Sequence, residues 1–289
     1  MALPPTALLR RVLLTADDFG LSEGVNEAVE RAHREGVLGA ASLMVAGPAA
    51  LDAVRRARAL PGLRVGLHLV VIEGKAVLPR WRIPGLVDGR GWFSSDQVGL
   101  GVRYLVFWRQ LAAEIRAQFA AFVETGLRLD HADAHKHMHL HPVVGRMMVE
   151  IGREFGLERV RVPREPPEVL AACGEQVGLG ERALASWSGV LARQVRRAGM
   201  RAPDAVFGLR WSGQMDAARV KALAPHLPAG LSELYFHPAV RREPPLRDLM
   251  PGYRQEAELA ALLDPEVRTA LEAVAEIVRE ESAFPADRA

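Results

Sequence analysis

The chain reads as an α/β protein whose parallel strands number about seven, enough to close or nearly close a barrel. Short β-branched or leucine-rich runs alternate with segments of helical periodicity along most of the 289 residues. Parallel strands need long crossover connections, which those helical segments supply. The polar residues that stand out sit at the C-terminal ends of the strand candidates, the edge where ligand chemistry gathers in barrels and open sheets. A doubly wound open sheet is the alternative architecture. At this length a barrel forms one domain, taken here as residues 1–289.

The strand candidates are residues 11–16, 40–46, 63–69, 127–134, 159–162, 205–207 and 232–236. Helix is expected over 22–35, with Ser22 as N-cap and Gly36 as C-cap. Further helices are expected near 49–60, over 101–125, and over 142–155, where Pro142 suits a first turn. The remaining helices are 181–198, 215–223, 255–263 and 265–281. Residues 71–97, rich in Gly, Pro and Trp, read as a loop long enough to be functional or mobile.

Hydrophobic residues make up 49% and charged residues 25%, ample for a core. The net charge of +2 carries no nucleic-acid footprint. A single cysteine, Cys173, excludes a disulfide within the chain and has no partner motif around it. The first residues lack a basic start followed by a long apolar run, so a signal peptide is not expected. No apolar window reaches the length of a membrane span. The expectation is a cytoplasmic protein.

Five of the nine histidines lie between positions 131 and 141, in His131-Ala132-Asp133-Ala134-His135-Lys136-His137-Met138-His139-Leu140-His141. Neutral imidazole is the commonest metal ligand, so the cluster points to metal chemistry. Of these, His135 lies nearest the strand end. His139 and His141 fit a surface or helix-start position that turns them away from a site. The other strand ends carry Asp17-Asp18, His68 and His237. One carboxylate of the Asp pair could bind a metal while its neighbour acts as base, whereas the plainer role is to cap the helix that begins near Ser22. Taken singly, His68 and His237 fit hydrogen-bonded core histidines, and His33 and His226 sit in helical contexts.

In order along the chain, Thr15-Ala16-Asp17-Asp18-Phe19-Gly20-Leu21-Ser22, Ala41-Ser42-Leu43-Met44-Val45, Gly66-Leu67-His68-Leu69, the segment 131–139 and Glu233-Leu234-Tyr235-Phe236-His237-Pro238 resemble the YdjC-like family of carbohydrate deacetylases. The resemblance implies a distorted, TIM-like (β/α) barrel and a divalent metal ion, zinc or magnesium, held by Asp18, His68 and His135. By similarity to the related NodB-type deacetylases, it implies Asp17 as general base and His237 as general acid. Segments 207–215 and 231–239 look like the hopanoid-biosynthesis-associated branch, for which the implied reaction is deacetylation of N-acetylglucosaminyl-bacteriohopanetetrol. Deacetylation of a chitooligosaccharide is the alternative. Ala134 stands where the family often has Ser.

Two other classes compete. A metal-dependent barrel phosphoesterase or isomerase would need phosphate-binding groups, and no Gly-rich phosphate loop is evident. A non-catalytic carbohydrate- or lipid-binding protein would tolerate loss of Asp17. The implied partner is an N-acetylated glycolipid or oligosaccharide, with no nucleic acid. A lipid substrate would bring peripheral membrane contact, for which the run Tyr104-Leu105-Val106-Phe107-Trp108 is a candidate, although a buried helix face is the plainer reading and no strongly basic amphipathic helix demands a membrane.

Overall fold

The structure is a computed structural model that describes residues 9–279. Strand β1 (Arg10–Phe19) leads to helix α1 (Glu23–Arg34), β2 (Ala40–Leu43) to α2 (Ala50–Arg58), and β3 (Arg64–Leu69) to a long loop. Helices α3 (Gln97–Val106) and α4 (Trp108–Glu124) return the chain to β4 (Ala132–Ala134), a 3₁₀ segment (His135–Leu140) and α5 (Pro142–Glu154). Then follow α6 (Pro167–Ala172), α7 (Leu179–Arg197), β5 (Ala205–Phe207), α8 (Ala217–Leu223) and β6 (Gly230–Phe236). The last elements are α9 (Pro244–Leu249), α10 (Gln255–Leu263), α11 (Pro265–Glu272) and β7 (Glu276–Ile277).

The strands pair in parallel in the order β4-β3-β2-β1-β6-β5, and β7 joins the start of β1. The segment expected as a strand at 159–162 fills the gap between β4 and β5. Val160 bridges Ala132 and Arg159 bridges Arg201, and the Val206 N–H reaches the Arg164 carbonyl at 3.0 Å. The sheet thus curls into the distorted barrel that the sequence predicts.

Both faces of the sheet are covered, so β1 reads as a nearly continuous apolar run. Its outward residues Val12, Leu14 and Ala16 are fully buried. Helix α1 covers them with Val25, Ala28, Val29 and Ala32, an i, i+3, i+4, i+7 stripe. Ser22 caps this helix as expected, accepting from the Val25 N–H at 3.2 Å, whereas the C-cap is Glu35 rather than Gly36.

Several boundaries differ from the sequence expectation. The strand begun at Ala40 stops at Leu43, and only the last three residues of the expected 127–134 strand pair as β4. The expected 101–125 helix is two helices that meet at Phe107, whose ring sits where a Cβ on Gly85 would fall, 2.6 Å away. The helix expected over 265–281 ends at Glu272, because the next residues peel off to pair with β1, the Val278 N–H bonding to Val12 O at 2.8 Å; positions 280 and 281 lie outside the described residues. Segment 70–96 is a loop, as expected, and it is pinned. Buried Gln118 bonds both backbone groups of Val70, and buried Glu114 accepts the N–H groups of Val77 and Leu78 at 2.8 and 2.9 Å.

Alternate strand residues turn inward. Barrel interiors are usually filled by branched apolar layers, but this one is charged. Arg11, Arg64, Arg159, Arg161 and Glu233 line a cavity of about 400 Å³ at the N-terminal end, and Asp17, His68 and Tyr235 follow toward the other end. Gly66 makes this filling possible. A Cβ there would lie 2.5 Å from the His131 ring, which cannot swing away because it bonds Ser42 Oγ and Asp130 at 3.0 Å each. Gly66→Ala should therefore lower the unfolding free energy by ~1–3 kcal/mol in urea denaturation; an unchanged midpoint would show that the interior is looser than described.

Candidate metal centre and its carboxylate network

Neighbouring strand residues point to opposite faces, so Asp17 and Asp18 could not both enter one cavity from a regular strand. A local irregularity brings them together. The β1–β2 register shifts between Ala16 and Phe19, and Asp18 adopts a left-handed conformation with φ 61°, which Asp tolerates better than most residues. The turn is fixed from behind by Asn26 of α1, which accepts the Gly20 N–H at 2.8 Å and donates to Ala49 O and Asp52. The capping role for the Asp pair falls away, because Ser22 holds that position.

Asp18 Oδ1 lies 3.4 Å from His68 Nε2 and 3.1 Å from His135 Nδ1, and all three residues are buried. Ligand atoms of this trio fall within 4.8 Å of one another. Both Asp18 oxygens, His68 Nε2 and His135 Nε2 are buried without a hydrogen-bond partner. Orphaned polar atoms of this kind are costly and rare in native proteins. Such atoms on each member of one close trio fit a cation. Behind the trio, His68 Nδ1 bonds Asp133 Oδ1 at 2.7 Å, the carboxylate–histidine support that orients metal-binding imidazoles. Burial pushes the His68 pKa down, but the bonded Asp133 outweighs it and raises the pKa to about 10. Asp18 is likewise held well below the carboxylate range by His135 and His68, against its burial. The cavity therefore demands positive charge, as a proton or as an ion that displaces it.

Arg161 organises the acids. It has no exposed side-chain surface. Its Nη1 and Nη2 grip Asp17 at 2.7 and 2.9 Å, Nη1 lies 2.5 Å from Asp133, and Nε and Nη2 reach Glu233 Oε1 at 2.9 and 2.8 Å. The guanidinium also stacks 4.9 Å over Tyr235. Burial and nearby Asp133 raise the Asp17 pKa although Arg161 opposes them, so Asp17 holds a proton more readily than an ordinary carboxylate. Sequence reasoning missed Arg161 and Glu233. The available signal was Arg159-Val160-Arg161-Val162, a strand alternation that places arginines on one buried face.

His237 follows directly on β6 beside Tyr235 and Tyr253, with ring centroids 5.7 and 4.9 Å away. Glu258 of α10, also missed, accepts its backbone N–H and lies 3.7 Å from Nδ1. Burial opposes charge on His237, but the Glu258 carboxylate outweighs it and raises the pKa.

The remaining histidines do not join the trio. After β4 the chain turns sharply through left-handed Lys136 and His137. His137 Nε2 bonds the Tyr235 hydroxyl at 2.8 Å, and His139 Nε2 donates to Arg161 O at 3.0 Å. Burial lowers the pKa of both, that of His139 to about 4. His139 is thus a buried neutral wedge rather than the surface residue that its spacing predicts. His141 meets the Tyr104 ring edge-on at 5.5 Å. Arg161→Met should cost ~3–5 kcal/mol at neutral pH, because it strands buried carboxylates. The deficit relative to wild type should narrow as pH falls, since raised carboxyl pKa values restore stability on protonation. Equal denaturation midpoints at neutral pH would contradict this role.

The family profile described as YdjC-like protein matches residues 11–273. A carbohydrate deacetylase of Brevibacillus brevis is 38% identical over 157 residues, 54% of this chain and 59% of its own. One from Vibrio cholerae is 33% identical over 152 residues, 50% and 56% respectively. The chain therefore spans little more than half the length of these curated relatives. A crystal structure from Enterococcus faecalis V583, described as a candidate for cellobiose-phosphate cleavage, superposes with a TM-score of 0.74 over 95% of this chain and 98% of its own, at 23% identity, and shares the fold. Over nearly all of its length, this chain belongs to the YdjC-like family.

Proposed function

We propose that the protein is a metal-dependent carbohydrate N-deacetylase that hydrolyses the acetamide of an N-acetylglucosamine-containing substrate. The observation that carries this reading is the convergence of unpartnered Asp18, His68 and His135 atoms beside a second carboxylate, Asp17. One Asp and two His suit zinc, and added oxygen ligands would admit magnesium. The carbohydrate deacetylases among its relatives support the substrate class.

A divalent ion held by Asp18, His68 and His135 would supply Lewis acidity toward an amide carbonyl and acidify a water. Asp17 takes the proton of the attacking water. The Arg161 clamp fixes its plane, and each carboxylate oxygen keeps a further lone pair to receive that proton. His237, whose pKa the Glu258 carboxylate raises against its burial, hands a proton to the departing sugar amine. The Tyr235 and Tyr253 rings pack edge-on against it.

The finer substrate reading is N-acetylglucosaminyl-bacteriohopanetetrol. It rests on the branch-like segments 207–215 and 231–239. The first of these passes the acid: a Cβ on Gly213 would lie 2.1 Å from the Tyr253 ring, and Ser212 Oγ bonds Tyr253 at 2.8 Å. A chitooligosaccharide is the second reading, favoured by relatives described as acting on carbohydrate.

Mass spectrometry of both substrates after incubation with enzyme and metal tests the reaction. A loss of ~42 Da from the lipid, the acetyl-to-hydrogen exchange of metal-assisted hydrolysis, is expected, with kcat lowered ~10²–10⁴-fold in Asp17→Asn. No loss from either substrate, or full activity in that variant, would refute the proposal. His237 acts only while protonated, so kcat should hold below its raised pKa and fall as pH climbs through it. In Glu258→Gln burial dominates, and the alkaline limb should move to lower pH; an unmoved limb would remove His237 as the acid.

A further inference from the structure

Helix α3 is apolar on two sides. Leu100 and Tyr104 face inward, yet Val98, Val102, Leu105 and Val106 are 58–80% exposed on the outside. A helix that is hydrophobic all round is normally buried, and contiguous apolar surface of this kind marks an interaction site. Trp108 follows at the start of α4, 47% exposed. Trp81, 75% exposed, lies in the turn whose Gly85 packs against Phe107 at the α3–α4 joint.

Charge identifies the occupant. Arg80, Arg82, Arg103 and Arg109 are exposed around these side chains, and no carboxylate partner for any of them occurs among the described residues. The guanidiniums of Arg82 and Arg109 lie 5.6 and 5.1 Å over the rings of Trp81 and Trp108. Asp88 and Asp96, the acids of this stretch, accept backbone N–H groups of their own turns. Aliphatic side chains flanked by tryptophan and arginine match the layering of a bilayer interface, with acyl chains, carbonyl boundary and phosphates in turn. Only Arg103 shares α3 with the apolar stripe, and Arg80, Arg82 and Arg109 come from other segments, which is why no single basic amphipathic helix is evident in the sequence.

We infer that the outer face of α3, with Trp81 and Trp108, docks the protein on an anionic lipid bilayer. The inner side of the same helix is tied to the C-terminal rim of the sheet. Tyr104 donates to Val71 O at 2.6 Å and meets His141, which closes the turn that begins at His135. Docking is a binding property separate from the proposed reaction, so its test does not require turnover.

The full chain is sedimented with vesicles of phosphatidylcholine alone and of phosphatidylcholine mixed with phosphatidylglycerol, and its size in solution is measured. Binding to the mixed vesicles, weaker to the neutral ones and reduced by salt, is expected. Val102→Glu with Leu105→Glu should weaken it roughly tenfold or more while the melting temperature is retained. Arg103→Glu with Arg109→Glu, changed only at exposed charges, should weaken binding to the mixed vesicles selectively. Absence of binding to mixed vesicles, or binding unaffected by both pairs of substitutions, overturns the inference. So does a wild-type dimer that the Val102/Leu105 substitutions convert to monomer, which would make a second copy the occupant.

Discussion

A guanidinium sealed inside the barrel, shared among Asp17, Asp133 and Glu233, sets the conditions for everything at the C-terminal rim. Burying an arginine is expensive unless its hydrogen bonds and charge are satisfied. Here three strands and the bridging segment each supply part of that satisfaction, so the strands cannot shift independently. Around Arg161 itself the carboxylates outnumber the guanidinium, because one cation serves three of them and Asp18 stands outside its reach. Under the proposed function, a cation at Asp18, His68 and His135 would offset that negative charge as well as serve the reaction. Asp133 joins the two halves, bonding the His68 ring on one side and Arg161 on the other.

The second constraint is the break in β1. A regular strand would give the interior either Asp17 or Asp18. The register shift and the left-handed Asp18 supply both, and give them different surroundings. Asp17 is clamped by Arg161, and its pKa is raised by burial. Asp18 faces imidazoles and keeps its charge. Two adjacent acids thereby acquire distinct chemistry from environment alone.

Much of this was legible in the residues. Strand–helix alternation predicts the parallel barrel, and strand ends predict the rim that carries Asp17, Asp18, His68, His135 and His237. Local pattern could not reveal what long-range contact decides. Phe107 splits a helix because it must pack on Gly85, and residues after Glu272 abandon helix for a place beside β1. Arg161, Glu233 and Glu258 look like ordinary charges until the fold buries them. The alternating histidines overstated the site, since two left-handed residues after His135 send His137 and His139 to hydrogen bonds with Tyr235 and Arg161, and His141 to an edge-on contact with Tyr104 of α3.

The account stands or falls on a cation at one point. Crystals grown with zinc and measured by anomalous scattering at its absorption edge test it directly. The account predicts a peak bounded by Asp18, His68 and His135, with Asp133 behind His68. A peak elsewhere in the barrel, or none with the trio ordered and pairing only with itself, would contradict it.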